Sequence, residues 1–159
     1  MNKNSKPPVL IVDDEDMVIT SVTAYLQLES DYDVRGFTDP EEAVRAIDKE
    51  PVGVIVSDYL MPRMNGIQLL GKAKELQPEA SRVLLTGHAD KRSAIDAINN
   101  VGLFQYLEKP WDNAQLLLVI QAAMERSELL RSLREKITEL DAAHSSLKDV
   151  QRRLLQAFL

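Results

Sequence analysis

Five polar residues of this 159-residue chain fall just beyond short apolar runs. They are Asp13 and Asp14 after Val9 to Val12, Asp58 after Val54 to Val56, Thr86 after Val83 to Leu85, and Lys109 after Phe104 to Leu107. If the runs are neighbouring parallel strands, all five side chains converge on one edge of a sheet. Three carboxylates crowded there oppose one another's ionisation unless a cation intervenes. A hard divalent ion such as Mg2+, which takes oxygen ligands, supplies that counter-charge. Lys109 adds an ammonium group and Thr86 a hydroxyl, both suited to phosphoryl oxygens. The set fits in-line phosphoryl transfer to a carboxylate nucleophile.

The elements that must position these residues are legible in the hydrophobic pattern. The runs at Val9 to Val12, Val54 to Val56 and Val83 to Leu85 are apolar without alternation, as expected of parallel strands covered on both faces. Two weaker runs, Tyr32 to Phe37 and Phe104 to Leu107, fit flanking strands. Helical spacing lies between them, at Met17 to Leu28, Glu41 to Ile47, Ile67 to Leu76 and Ser93 to Ile98. Thr38-Asp39-Pro40-Glu41-Glu42 reads as a cap, a Pro at the first helical position and acids in the first turn. Asn65-Gly66 marks another helix entry, and Gln77-Pro78 an exit. Five strand-helix units joined by right-handed crossovers predict a doubly wound α/β fold, with binding groups at the carboxyl ends of a five-stranded parallel sheet.

From about Asp112 the pattern changes to one uninterrupted helix without Pro or Gly. Leu116, Val119, Ala123, Arg126, Leu130, Leu133, Ile137, Leu140, His144, Leu147, Gln151, Leu154 and Phe158 follow at alternating steps of three and four. Such a heptad seam predicts a left-handed coiled coil over residues 126–159. The first turns, through Leu116, Leu117, Val119 and Ile120, can also cover the sheet. His144, Arg126 and Gln151 read as polar seam residues that set register or helix number. A phosphotransfer role for His144 is disfavoured, because no acid follows it and no Pro lies a turn beyond.

Four segments together are specific. Val12-Asp13-Asp14-Glu15, Asp58-Tyr59-Leu60-Met61-Pro62-Arg63-Met64-Asn65-Gly66, Leu85-Thr86-Gly87 and Tyr106-Leu107-Glu108-Lys109-Pro110-Trp111 resemble, in order and spacing, the signature segments of response-regulator receiver domains. Any one alone would be an ordinary loop acid, strand-end hydroxyl or solvated lysine. The resemblance spans about Val9 to Glu125 and implies the CheY-like, flavodoxin-like strand order 2-1-3-4-5. It implies that a histidine kinase donates phosphate to Asp58. It also implies that Asp13, Asp14, Asp58 and the Leu60 backbone carbonyl hold Mg2+, that Lys109 pairs with the phosphoryl group, and that the Lys109-Pro110 bond is cis. Thr86 and Tyr106 would form the switch, altering the face built from the fourth helix, fifth strand and fifth helix. Leu60 and His88 would flank the path of an attacking water. Trp111, Met61, Pro62 and Met64 read as packing residues.

Bulk properties narrow the rest. Residues 1–112 carry 12 Lys/Arg against 19 Asp/Glu, so this acidic part is not expected to grip nucleic acid. No window approaches a membrane span, Met1 to Pro8 shows no secretory pattern, and the absence of cysteine removes disulfides and thiolate metal sites. A cytoplasmic protein is expected, with residues 1–8 disordered, a receiver over 9–125, and a parallel homodimer through 126–159. The end at Phe158-Leu159, in mid-pattern, suggests a linker to an output domain. Two other classes fit less well. A dehalogenase-type phosphatase would need a hydroxyl that Asp14-Glu15-Asp16-Met17-Val18 lacks. A flavin module would need a Ser/Thr/Gly-rich loop after the first strand.

Overall fold

The computed structural model describes residues 6–87 and 91–158. Strands and helices alternate along it: β1 (Val9–Val12), α1 (Asp16–Glu29), β2 (Val34–Phe37), α2 (Pro40–Lys49), β3 (Val54–Asp58), α3 (Gly66–Leu76), β4 (Ser81–Thr86), α4 (Lys91–Val101), β5 (Gln105–Glu108) and α5 (Asn113–Phe158). The strands form one parallel sheet in the order β2-β1-β3-β4-β5. This is the expected doubly wound, flavodoxin-like arrangement.

The unbroken apolar strands follow from two cores. Successive side chains of a strand point to opposite faces. Val9, Ile11, Val54, Val56, Val83 and Leu85 pack with Val22 and Leu26 of α1 and Leu116, Ile120 and Met124 of α5. On the other face Leu10, Ile55 and Leu84 pack with Ile47 of α2, Leu70 and Ala73 of α3, and Val101 of α4. Local signals set the helix starts. The Asp39 carboxylate accepts from the Glu41 N–H at 3.0 Å, ahead of Pro40 in the first turn of α2. Asn65 and Gln68 form a reciprocal capping box at the start of α3.

Several boundaries shift from expectation. β2 starts at Val34 instead of Tyr32, and Asp58 and Thr86 are the last residues of their strands instead of lying beyond them. α4 is longer than the Ser93 to Ile98 pattern. The expected disorder through Pro8 does not hold for residues 6–8: Pro8 is buried and its carbonyl accepts the Gly53 N–H at 3.0 Å, continuing the β1–β3 pairing backwards. That expectation for residues 1–5 lies outside the described residues. Arg126 also needs correction, because it is not a bare seam residue. Its guanidinium donates to the Ser81 hydroxyl at 3.3 Å, and that hydroxyl donates to the Ala123 carbonyl at 2.7 Å. The chain divides into compact units between Ser127 and Glu128. In the second unit Leu133, Ile137, Leu140, Leu147 and Leu154 are exposed.

One buried charge holds the edge of the sheet opposite the carboxyl ends. Arg82, on β4, is nearly inaccessible, and its guanidinium donates to the carbonyls of Pro78, Ala80, Val101 and Gly102. It thereby ties the end of α4 to the loop after α3. Burial, then the neighbouring Arg126, pulls its pKa down. Arg82→Met should lower the unfolding free energy by about 2–4 kcal/mol in urea denaturation, since buried carbonyls lose their donors. A change under about 0.5 kcal/mol would contradict this role.

Candidate functional site

Strand register builds the site. Val12 pairs with Ser57, so Asp13 lies beside Asp58 where β1 and β3 end. Thr86 pairs with Glu108, which places Lys109 one residue further along, and the Lys109 N–H donates to the Thr86 carbonyl at 2.8 Å. The Tyr59 N–H donates to the Leu85 carbonyl at 2.9 Å, carrying the β3–β4 ladder past Asp58. All five residues expected at the sheet edge are there. Carboxylate oxygens of Asp13, Asp14 and Asp58 all lie within 4.8 Å of one another.

The carboxylates differ in surroundings. Asp58 is 5% exposed, and its Oδ1 accepts from the Tyr59 N–H at 2.9 Å and pairs with the Lys109 Nζ at 2.7 Å. Asp13 is 1% exposed; its Oδ1 accepts from the Glu15 N–H at 2.9 Å, while its Oδ2 is buried without a hydrogen-bond partner. Asp14 is exposed. Burial pushes the Asp13 carboxyl up to about 6; the Glu15 N–H opposes this, and the Asp58 charge adds to it. Burial alone would lower Lys109, but its hydrogen bond to Asp58, with the charges of Asp58, Asp13 and Glu15, carries it above the ordinary lysine value. A buried carboxylate oxygen without a donor is costly in an apolar setting. The orphaned Asp13 Oδ2, among oxygen donors held close together, fits a hard divalent cation. Asp13, Asp14 and Asp58 are the side chains that could hold it.

Other expected residues fall around this centre. The Thr86 side chain is fully buried and donates to the Gly87 carbonyl at 3.1 Å. Tyr106 is half-buried against the second core and pairs with Leu84, two residues before Thr86 on the adjacent strand. The Lys109-Pro110 bond is cis. Leu60 is 62% exposed in the loop after Asp58, whereas Met61 and Met64 pack beneath that loop with Val12, Ala43 and Leu69. Trp111 is half-buried against the first core; its indole N–H donates to the Asn113 side chain at 3.2 Å, and the Lys109 Nζ lies 6.0 Å from its ring. His88 lies outside the described residues.

Sequence reading missed the part played by Gly66. Its N–H donates to the Tyr59 carbonyl at 2.8 Å, and a Cβ placed there would sit 2.2 Å from the Asp58 carbonyl oxygen. Only a residue without a side chain lets α3 begin this close to the end of β3. The Asn65-Gly66 dipeptide carried the signal for a helix entry but not for this approach. Ser57 was missed too. Its hydroxyl donates to the Asp58 carbonyl at 2.9 Å and steadies the same turn.

The geometry agrees with comparisons to known proteins. Residues 9–121 match the family of the response regulator receiver domain. The chain is 33% identical over 123 residues to the phosphoglycerate transport system transcriptional regulatory protein PgtA of Salmonella typhimurium, covering 77% of this chain and 29% of that protein. It spans 24% to 31% of the length of that protein and three further transcriptional regulators. Among solved structures, one described as adenylate cyclase from Rhodopirellula baltica superposes with a TM-score of 0.79 at 28% identity, over 84% of this chain and 98% of that one. A CheY-like receiver domain protein from Methanospirillum hungatei gives 0.72 at 29% identity, over 78% and 98%. Sheet order, the match over residues 9–121 and the acidic edge with its lysine lead to one conclusion: the chain belongs to the response-regulator receiver family, the signalling modules of two-component systems.

Proposed function

We propose that the chain accepts a phosphoryl group on Asp58 from a histidine kinase and passes the resulting change to its C-terminal helix. The observation that carries this reading is the buried Asp58 carboxylate, gripped through Oδ1 by Lys109 at 2.7 Å and flanked by an Asp13 oxygen without a partner. A carboxylate oxygen of Asp58 attacks phosphorus, the P–N bond to the kinase imidazole breaks, and an acyl phosphate forms. Lys109 meets the charge on the transferred group, and the buried Thr86 hydroxyl exchanges the Gly87 carbonyl for a phosphoryl oxygen. Asp13, Asp14 and Asp58, with the Leu60 carbonyl, would hold Mg2+, which when bound offsets the negative charge gathered at the site. Tyr106 then turns inward, changing the face made by α4, β5 and α5.

The receiver spans residues 9–125 in this reading, and residues 126–159 pair two copies as a parallel coiled coil. The exposed leucines of the second unit support pairing, since a lone helix would leave that stripe in water. The site of action is the cytoplasm; among the described residues no helix is long and apolar enough to cross a membrane. This chain itself neither binds nucleic acid nor turns over an external substrate. Its chemistry is its own phosphorylation and dephosphorylation, and the coiled coil delivers the switch to an output domain. Neighbours described as a transcriptional regulatory protein and as an adenylate cyclase support outputs of more than one kind.

Incubation with labelled acetyl phosphate and Mg2+ should label the chain, and Asp58→Asn should abolish the label. Equal labelling of that variant would overturn the assignment. Cation affinity should depend on pH through Asp13, whose folded pKa of about 6 lies above its usual value. For the metal-free fold, the contribution from this shift is full at low pH and is lost as pH rises through about 6. Cation binding needs the ionised form and runs the other way. Mg2+ affinity, followed by the emission of Trp111, should therefore weaken about tenfold between pH 7.5 and 5, whereas a flat profile would contradict the role of Asp13. Apolar Leu60 cannot orient an attacking water, so the acyl phosphate should be long-lived. Leu60→Asn should shorten its lifetime several-fold in a phosphate-release assay, and an unchanged lifetime would sink that idea.

A further inference from the structure

The seam of the second unit carries more information than its apolar content. With the three-then-four spacing labelled as heptad positions, Leu133, Leu140, Leu147 and Leu154 are all d, while Leu130, Ile137, His144 and Gln151 are all a. Every d is leucine, and the two polar seam residues of this unit fall on one kind of position. We propose that this helix pairs with a second copy in parallel and in register, with His144 stacked against His144, so that protonation of this layer loosens the pair. The inference rests on the parallel homodimer reading above and adds its register and its response to pH.

Orientation follows from what each polar residue would face. In a parallel, in-register pair a meets a, so His144 meets His144 and Gln151 meets Gln151. In any antiparallel alignment that keeps the seam, a meets d of the other copy. Both polar side chains would then lie against leucine, burying hydrogen-bonding groups without partners. The flanking positions agree. Lys136 at g lies opposite Asp141 at e of the second copy, and Val150 opposite Leu155. The first is a pair of opposite charges, whereas Lys136 now has only a long contact of 3.9 Å with Glu139 on its own helix among the described ion pairs. The second joins two apolar side chains that are 52% and 64% exposed on the lone helix. A rim ion pair of this kind contributes little energy and mainly helps choose the partner geometry.

The pH response follows from the His144 layer. Across the seam His144 meets Leu140, Ala143, His144 and Leu147 of the second copy. On its own helix the nearest charged residues are Asp141 and Lys148, three before and four after it, and their opposite signs largely offset. Two neutral imidazoles can share an N–H to N hydrogen bond, one donating and the other accepting. Two imidazolium ions are both donors and carry like charge between apolar layers, so the bond is lost and repulsion replaces it. Imidazole changes charge near pH 6.5 in water. The separated helices thus bind protons more readily than the pair, and association strengthens as pH rises through that range.

The chain contains no cysteine, so single introduced thiols report the alignment without background. Leu133→Cys and Leu154→Cys should each form disulfide-linked homodimers at pH 7.5 under mild oxidation. A mixture of Leu154→Cys with Leu130→Cys, which would face each other in a full-overlap antiparallel pair where a meets d, should give few mixed 130–154 crosslinks when one variant is tagged. Predominant mixed crosslinks would show an antiparallel pair and overturn the proposal. Sedimentation of the full chain should show a dimer whose dissociation constant weakens by about 10- to 100-fold from pH 7.5 to 5.5, with His144→Asn largely removing that dependence. Because Asp13 titrates in the same range, this variant separates the two effects. An unaltered pH dependence in His144→Asn would overturn the histidine layer while leaving the homodimer standing. A full chain that stays monomeric at pH 7.5 would overturn the homodimer reading and the proposal with it.

Discussion

The contact between Lys109 and Asp58 is the point on which the remainder of the site depends. Three carboxylates at the end of a parallel sheet repel one another, and among the described residues the Lys109 ammonium group stands against them. It pairs with Asp58 at 2.7 Å, but a single positive charge does not serve three acids. The shortfall is visible in the structure. The Asp13 carboxyl is pushed up to about 6, and one of its oxygens is buried without a donor. Such an edge accepts further positive charge and rejects further negative charge, which is the electrostatic setting that delivery of a phosphoryl group with its counter-ion requires.

Positioning that contact takes most of the fold. Lys109 and Asp58 come from strands separated by β4, and β4 holds both: Leu85 accepts from the backbone after Asp58, and Thr86 accepts from the backbone of Lys109. The same strand carries the Thr86 hydroxyl to the edge and buries Arg82 near its opposite end, where the guanidinium gathers the carbonyls that close α3 and α4. Gly66 completes the frame by letting α3 start against the Asp58 carbonyl, a spacing that any side chain would break. In the proposed reaction this framing serves chemistry, because an acceptor displaced by an ångström loses its in-line approach.

Much of this was legible in the sequence, and the reasons are local. Unbroken apolar runs identified doubly covered strands, and the residue types just beyond them identified the edge. The Asp39-Pro40 cap and the Asn65-Gly66 entry appeared where expected. What sequence could not supply were contacts joining distant segments. Arg82 looks like a solvated arginine in a strand until the carbonyls of residues 78, 80, 101 and 102 are placed around it. Arg126 kept the heptad spacing, yet its partner is Ser81, 45 residues earlier. Pro8 was expected to end a disordered segment, but its carbonyl is taken by the Gly53 N–H. The raised Asp13 pKa likewise depends on burial, which spacing alone does not reveal.

The most direct measurement is the chemical identity of the phosphorylated residue. Reduction of the phosphorylated chain with borohydride converts an aspartyl phosphate to homoserine, and peptide mass spectrometry then locates it. The account predicts homoserine at position 58 and nowhere else, formed only when Mg2+ accompanies the phosphodonor. Homoserine at position 13 or 14, or a stable phosphate on a histidine, would contradict it.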